Sequence, residues 1–529
     1  MKTFRNYQTE ASEAIVSTWN KGHKSAICVV ATGGGKTLIA AGTTASIKHK
    51  GRVLFLANRN ELCTQPLATF HEQIGFLPAL EKAESTAPLD AQVVIASVQT
   101  LSREKRLKRF PRDHFSFIFA DECHMSVAAS WKRIFDHFES AKLCGITATP
   151  FRTDAKSLTE IFETESFRKD LFALVDEGWL VDPDHVDKLS TAISLAQVRV
   201  KRNADGQRDY DLQDAADAIA PYFDEIAKEL KERHNERHIL AFLPLVASSQ
   251  KFVASCKKAG INAVHVDGED PERDTKLKAF RDGQIQLLSN SNLLHTGVDI
   301  PVCDCTLNLR PTKSKVLYAQ IIGRSTRTVP RLVDEIPDVV GRLQAIARSS
   351  KPKAYIIDPL WLSAEHDLVT PSFMIAPNEQ FAVEMNKAAG KSYSLRAMRS
   401  FVQTQREEAI KRRLENVARF REGRIPAKYF AAATQDHGLV NYEPVFAKEI
   451  RPPNNFSKLL LDQGGIDPES VTSEGEAREV LKAIGRRRYQ GLPEIRELAP
   501  FAESWGDDDL WKMTKKELSK ARRALMCQA

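Results

Sequence analysis

Two short segments, roughly 85 residues apart, hold the residues whose types and spacing could do chemistry. The first is Ala31-Thr32-Gly33-Gly34-Gly35-Lys36-Thr37 and the second is Asp121-Glu122-Cys123-His124. In the first, Gly33, Gly34 and Gly35 let the backbone turn tightly and aim N–H groups at an anion, with Thr32 in the same cradle. Lys36 places a point charge at the β- and γ-phosphates of a nucleotide, and Thr37 offers a hydroxyl to Mg²⁺. In the second, Asp121 would hold the ion, mostly through water, and Glu122 would orient or deprotonate an attacking water. A glycine turn alone, or an acidic pair alone, is ordinary. Together, in this order, they supply the minimum for hydrolysing a nucleoside triphosphate. One position departs from the usual loop: Val30 stands where glycine is expected.

The elements that must position these residues are legible around them. Ile27-Cys28-Val29-Val30 is a compact apolar run, suited to a buried parallel strand. The Ala- and Thr-rich stretch 38–48 beyond it suits a helix, its positive end at the phosphates. Phe115 to Ala120 is strand-like and delivers the acidic pair to a strand's C-terminal end, where open α/β sheets bind ligands. Further apolar runs, such as Val53–Ala57, Val93–Ala96 and Leu143–Ile146, alternate with helical stretches. The pattern predicts a parallel sheet with helices on both faces over residues 1–182.

The rhythm breaks over 183–236, read as a connector with a turn-rich piece (202–206) and a helix near 215–233. It returns over 237–362, in runs such as His238–Leu243 and Ala354–Ile357, without a second phosphate loop. That suggests a domain that closes on the first domain's nucleotide. From Ser363 to 529 the chain reads as a basic, helical accessory region. Residues 387–428 carry twelve Lys/Arg against four Glu, on a helix with an apolar stripe through Leu395, Met398, Phe401 or Val402, Ala409 or Ile410, Leu414, Val417 and Phe420. Such a helix either packs with a solvated basic face or tracks a phosphate backbone.

Composition narrows the class. At 529 residues the chain should hold three or four domains, and 42% hydrophobic with 27% charged residues is ordinary for soluble protein. No apolar run is long enough for a membrane span, and the polar stretch Met1–Glu10 lacks a signal-peptide core, so no membrane role and no secretion are expected. Eight scattered cysteines include no Cys-x-x-Cys pair, which disfavours zinc ribbons and iron–sulfur sites and suits a reducing cytoplasm. A net charge of +7 does not by itself argue for nucleic acid.

Over residues 1–362 the motifs resemble, in order, those of the superfamily 2 helicases. Phe4-Arg5-Asn6-Tyr7-Gln8 looks like the adenine-recognition motif, with Gln8 bonding the adenine edge and Tyr7 packing nearby. Residues 31–37 match motif I, Asn58-Arg59-Asn60-Glu61-Leu62 resembles motif Ia, and Ser97-Val98-Gln99-Thr100-Leu101 resembles motif Ib. Motif II is in its DECH form, and Thr147-Ala148-Thr149-Pro150 is motif III in its TATP form. In the second half, His265–Gly268 with Arg273 resembles the segment after motif IV. Thr296-Gly297-Val298-Asp299 looks like motif V, and Gln320-Ile321-Ile322-Gly323-Arg324-Ser325-Thr326-Arg327 matches motif VI.

The resemblance implies two tandem RecA-like domains that bind ATP and Mg²⁺ between them, with Gly297 and Asp299 contributing to the nucleotide site. Gln320, Arg324 and Arg327 would act from the second domain, the two arginines one helical turn apart as arginine fingers. It also implies a nucleic-acid track across both domains. Arg59, Thr100 and Thr296 are the candidates for backbone contact, and His124, Thr147 and Thr149 for linking track and site.

The DECH and TATP spellings disfavour the DEAD-box RNA helicases. They are more similar to the branch with type III restriction subunits, excision-repair helicases and phage recombination helicases. That branch implies DNA rather than RNA, movement 3′ to 5′, work beside replication or recombination proteins or in repair, and a bacterial or phage-infected host cytoplasm. An RNA helicase and the motor subunit of a restriction complex are the alternatives. The segments Gly465–Pro468 and Arg486–Leu492 resemble the C-terminal unit of phage-encoded helicases.

Overall fold

A computed structural model of the chain describes residues 4–58, 63–123, 126, 128–148, 158, 160–190, 193–202, 208–291, 300–359, 369–376, 379–389, 392–415, 425–444, 447–498 and 513–526. It forms two compact units. One comprises Met1–Ile375 and Ala389–Arg396, the other Ala376–Ala388 and Ala397–Ala529. The first unit contains two seven-stranded sheets.

The first sheet is built from β1 (Ser25–Val30), β2 (Val53–Ala57), β3 (Ala79–Glu81), β4 (Val93–Ser97), β5 (Phe117–Asp121), β6 (Lys142–Thr147) and β7 (Thr164–Lys169). All pairings are parallel, in the order β3-β4-β2-β5-β6-β1-β7. Strands β1, β2 and β4 are buried along their whole length, which is why their sequences are unbroken apolar runs. β7 sits at the edge, half-exposed, and is correspondingly polar. In this register Val29 lies opposite Thr147, and Asp121 opposite Ile146. The C-terminal ends of β1, β5 and β6 therefore line up at one edge.

The second sheet contains β8 (His185–Asp187), β11 (Ile239–Phe242), β12 (Ala263–Val266), β13 (Leu287–Asn290), β14 (Cys305–Asn308), β15 (Tyr355–Ile357) and β16 (Ser392–Ser394). Their order is β12-β13-β11-β14-β15-β8-β16, parallel except for β16. Two of these strands lie outside 237–362, the span assigned to the domain from sequence. β8 comes from the stretch expected as a connector, and β16 from the stretch expected as the accessory region. Both are three-residue strands, too short to show a period in sequence. The expected connector also supplies an antiparallel hairpin, β9 (Val200–Arg202) with β10 (Arg208–Tyr210), and two helices, Leu212–Ile219 and Phe223–Arg233. The Phe223 ring meets Phe252 edge-on at 5.3 Å, and Ile226 and Leu230 join the same buried core as Ile239 and Leu287.

A polar clasp ties β8 to that second helix. Arg233 donates to both Asp187 carboxylate oxygens at 2.6 Å and to Glu229 at 2.5 Å. Glu229 in turn accepts the Ser190 N–H. Burial alone would raise the Asp187 pKa, but the His234 ring 3.1 Å away and the hydrogen bonds from Arg233 hold it below the ordinary carboxylate range.

The second unit is helical. Its core, around Phe430, Leu439, Leu461, Val480 and Ile484, is drawn from the helices Ala427–Ala433, His437–Val440, Asn455–Gln463 and Glu474–Tyr489. In the long helix Leu395–Glu415, Leu395 and Val402 are buried while Phe401 faces outward, so the apolar stripe runs through Val402. Arg406 directs its charge inside this unit, donating to Glu384 at 2.7 and 2.9 Å and to Asn441 at 3.0 Å. Here the packing reading of the basic helix holds for Arg406. Val417 and Phe420, and the side chains of Ile410 and Leu414, lie outside the described residues. Among the described residues, no helix is long and apolar enough to cross a membrane.

Two outcomes are expected of the clasp. Arg233→Met should cost about 1–3 kcal/mol in urea unfolding, discounted because Arg233 is part-exposed. Because the folded Asp187 pKa is depressed, its contribution is complete above the unfolded value of about 4 and is lost as pH falls through the folded value. The stability gap between wild type and Arg233→Met should accordingly shrink in acid.

Candidate nucleotide and motor site

The glycine segment sits between β1 and the helix Lys36–Ile47. Gly33 and Gly35 adopt φ of 87° and 80°, the left-handed region, and Gly35 is the N-cap. This is the turn the sequence called for, and it brings the loop N–H groups to a helix N-terminus. The unexpected Val30 also finds its reason here. A Cβ on Gly34 would lie 2.5 Å from Val30 Cγ1, so the valine fills the space that Gly34 leaves open. The Thr32 hydroxyl is buried with no hydrogen-bond partner among the described residues, a polar atom suited to a phosphate oxygen.

Tyr7 and Gln8 reach this loop from the helix Asn6–Asn20. The Tyr7 hydroxyl donates to the Gly34 carbonyl at 2.8 Å, and Gln8 Nε2 donates to the same oxygen at 3.1 Å. Gln8 Oε1 accepts the Arg5 N–H at 3.0 Å. The amide expected at an adenine edge thus braces the phosphate loop in this structure. Beside it, Trp179 lies 6.0 Å from the Tyr7 ring, with the Arg5 guanidinium 4.9 Å and the Arg342 guanidinium 3.8 Å from Trp179 ring centroids. Sequence reasoning missed Trp179 and Arg342 because neither belongs to a short motif.

Glu122 is the centre of the site. Its φ is 51°, a left-handed conformation that costs a non-glycine residue on the order of 1–3 kcal/mol. That turn aims its carboxylate back over the loop, where Oε1 accepts from Lys36 Nζ at 3.1 Å. The same oxygen accepts from Gln320 Nε2 of the second sheet's domain at 3.4 Å. Its backbone N–H donates to Asp121 Oδ1 at 3.1 Å. Burial first, then the Glu122 charge, pushes the Asp121 carboxyl up to about 7, with Lys36 opposing. A divalent cation would reverse that shift.

The donor set fits a hard, hydrated ion. Thr37 and Asp121 offer oxygen only, and among the described residues no cluster of three or more His, Cys, Asp or Glu side chains forms a cage. Magnesium, which keeps several waters and leans on phosphate oxygens, suits such a site. The described cysteines are buried thiols, and burial lifts Cys28 to about 12, which makes it inert.

The second domain meets the loop through motif VI. A Cβ on Gly323 would stand 2.6 Å from Thr32 Cβ, and one on Gly33 would stand 3.7 Å from Arg327 Cγ. Nearby, Val181 N–H donates to the Thr326 carbonyl at 2.7 Å. Arg324 and Arg327 were expected on one helix, a turn apart. They are not: the helix Lys315–Ile322 ends before them. Tight bonds from Arg324 N–H to Ile321 and from Ser325 N–H to Ile322, both 3.2 Å, close its last turn. The Ser325 and Thr326 hydroxyls then donate to the Ile322 and Gly323 carbonyls at 3.0 and 3.1 Å, competing with helix continuation. Arg324 is buried, and Arg327 is partly exposed.

The expected track residues fare unevenly. Thr147 is buried at the end of β6, opposite Val29 of β1. Thr100 is also buried, and its hydroxyl accepts the Ala83 N–H at 2.9 Å, so its side chain serves the fold and not a surface. Arg59, His124, Thr149, Thr296, Gly297 and Asp299 lie outside the described residues.

The model of the type III restriction enzyme res subunit matches residues 1–152, and that of the helicase conserved C-terminal domain matches residues 222–329. A candidate ATP-dependent helicase of Saccharomyces cerevisiae, IRC3, is 30% identical over 61% of this chain and 49% of its own length. A 51.5 kDa protein of a Lactococcus phage is 30% identical over 56% of this chain and 61% of its own. The chain thus spans about half to three fifths of the length of these relatives. Among solved structures, a fragment of a candidate HsdR subunit of a type I restriction enzyme from Vibrio vulnificus YJ016 matches with a TM-score of 0.52 at 23% identity. It covers 70% of this chain and 66% of that one, and shows the shared fold. Residues 1–152 and 222–329 thus match, in order, a restriction-subunit model and a helicase C-terminal model, and the chain is similar over this span to the superfamily 2 helicases.

Proposed function

We propose that the protein is a nucleic-acid-stimulated ATP hydrolase that moves along, or unwinds, DNA. The observation that carries this reading is the Glu122 carboxylate, held by Lys36 of the phosphate loop and by Gln320 of the second domain. A simple phosphatase site has no need of the second contact. A motor does, because its hydrolysis must sense whether the domains are together.

In this reading the phosphates of ATP rest on Thr32, Gly33, Gly34, Gly35, Lys36 and Thr37. Entry of the γ-phosphate draws Lys36 off Glu122, which frees the carboxylate to take a proton from the attacking water. Bound Mg²⁺, held by Thr37 and Asp121, would neutralise charge on the phosphate oxygens. Arg324 and Arg327 stabilise the charge that develops in transfer, and Gln320 reports the domain contact. Gly297 and Asp299 complete the nucleotide site. Release of phosphate weakens the contact, and repeated closure steps the protein along one strand, 3′ to 5′.

The DECH and TATP spellings and the match to a restriction-enzyme subunit support DNA over RNA. We place its work in replication, recombination or repair, alongside proteins of those processes; the match to a Lactococcus phage protein suits a bacterial or phage-infected cytoplasm. Arg59, Thr296 and His124 remain the proposed contacts and couplings to the strand.

Lys36→Ala should reduce DNA-stimulated ATP turnover by at least about a hundredfold, in line with loss of a phosphate-binding charge. Retained turnover would remove the site from its assigned role. Gly323→Ala should also lower turnover strongly, because its Cβ would stand 2.6 Å from Thr32 across the domain contact; the same Cβ stands 2.9 Å from the Ala319 carbonyl of its own domain, so a melting curve is read beside turnover. Comparing stimulation by single-stranded DNA and RNA at fixed salt tests the track: stimulation by RNA alone would overturn the DNA assignment.

A further inference from the structure

A cavity of about 570 Å³ opens in the helical unit, formed by residues that belong to no helicase motif. That volume is of the size that takes a small ligand or one nucleotide. It exists because small residues face each other there: Ala433 from the helix Ala427–Ala433 and Ala483 from the helix Glu474–Tyr489. Phe430 supplies an aromatic wall. Leu492 supplies an aliphatic one, turned back by Gly491, whose φ of 70° lets Leu492 N–H bond to the Arg487 carbonyl at 3.1 Å.

Its polar groups favour an anion. Arg487 is buried, its Nε donating to the Pro493 carbonyl at 3.3 Å, and burial draws its pKa below the usual arginine range. Arg486 pairs with Asp436 at 2.5 Å, so those two charges offset one another. Asp436 also caps the next helix by accepting the Leu439 N–H at 3.1 Å. The His437 ring faces Glu407 at 2.7 Å. Arg487 adds a further positive charge at depth. Three arginines in the last turn, Arg486 to Arg488, counter the negative end of the helix dipole. Tyr489, directly before the cavity residue Gln490, is 95% exposed. A cation at depth and an apolar wall, with a bare aromatic side chain one residue from the lining, are the parts of a single-strand nucleic-acid site, where bases stack and phosphates find arginine.

We propose that this cavity is a second binding site for single-stranded nucleic acid, taking one nucleotide with its phosphate at Arg486 and Arg487 and the neighbouring base on Tyr489. It rests on the nucleic-acid reading above. It differs in placing part of the affinity outside the two sheet domains. It also gives the Arg486–Leu492 segment a role.

The test uses the full chain with a fluorescent single-stranded oligonucleotide, over a range of salt. Tyr489→Ala and Arg486→Ala alter exposed side chains, so both should melt as wild type does. Each should weaken binding about tenfold, and Arg486→Ala should also lower the salt slope by about 0.7, the share of one phosphate. Arg487→Lys, which keeps the charge, should bind more tightly than Arg487→Gln. Affinity and slope unchanged in Tyr489→Ala and Arg486→Ala, with wild type binding normally, would overturn the cavity while leaving the motor reading intact. Loss of fluorescent mononucleotide binding in these variants, with oligonucleotide binding unchanged, would overturn it in favour of a free-nucleotide site. Failure of wild type to bind any oligonucleotide would overturn both readings.

Discussion

One carboxylate organises the candidate nucleotide site. Glu122 is held at the end of β5 in a left-handed backbone conformation, between Lys36 of its own domain and Gln320 of the other. Each neighbour alters what the carboxylate can do. While Lys36 holds it, that oxygen is already occupied. While Gln320 touches it, its direction depends on where the second domain stands. Much of the first unit serves that arrangement. The parallel register brings the ends of β1, β5 and β6 to one edge, and the bare Cα of Gly323 lets the second domain approach Thr32 without a clash.

The close approach depends on small residues and tight fits, and these make the loop's unusual spelling intelligible. Val30 would crowd an ordinary loop, yet it fills the void above Gly34. Tyr7 and Gln8 both bond the Gly34 carbonyl, so a motif expected to read the base also stiffens the phosphate cradle. A site braced this way keeps its N–H groups aimed before the nucleotide arrives, which spares reorganisation during the reaction.

Much of this was legible in the sequence, for physical reasons. The buried strands are unbroken apolar runs, so the parallel sheets and their order of appearance could be read, and the phosphate loop and acidic pair stand at strand ends, as expected. What was not legible depends on contacts remote in sequence. β8 and β16 are three residues each, and only pairing with β15 and with each other makes them strands. The end of the helix before Arg324 is set by Ser325 and Thr326 hydroxyls bonding backwards, which outweighs the helical spacing of the two arginines. Thr100 looked like a surface contact because motif order says nothing of burial. The segment near residue 487 gave only a resemblance, and its cavity is lined by residues remote in sequence, Ala433 and Ala483 among them.

The central claim is that chemistry in the first domain is completed by the second. Single-turnover hydrolysis of bound ATP by Arg327→Ala, measured beside ATP affinity, tests it most directly. The account predicts a rate lower by on the order of a thousandfold, with affinity changed far less, since the arginine acts on charge that develops during transfer. A variant that hydrolyses bound ATP at the wild-type rate, or that loses only affinity, would contradict it.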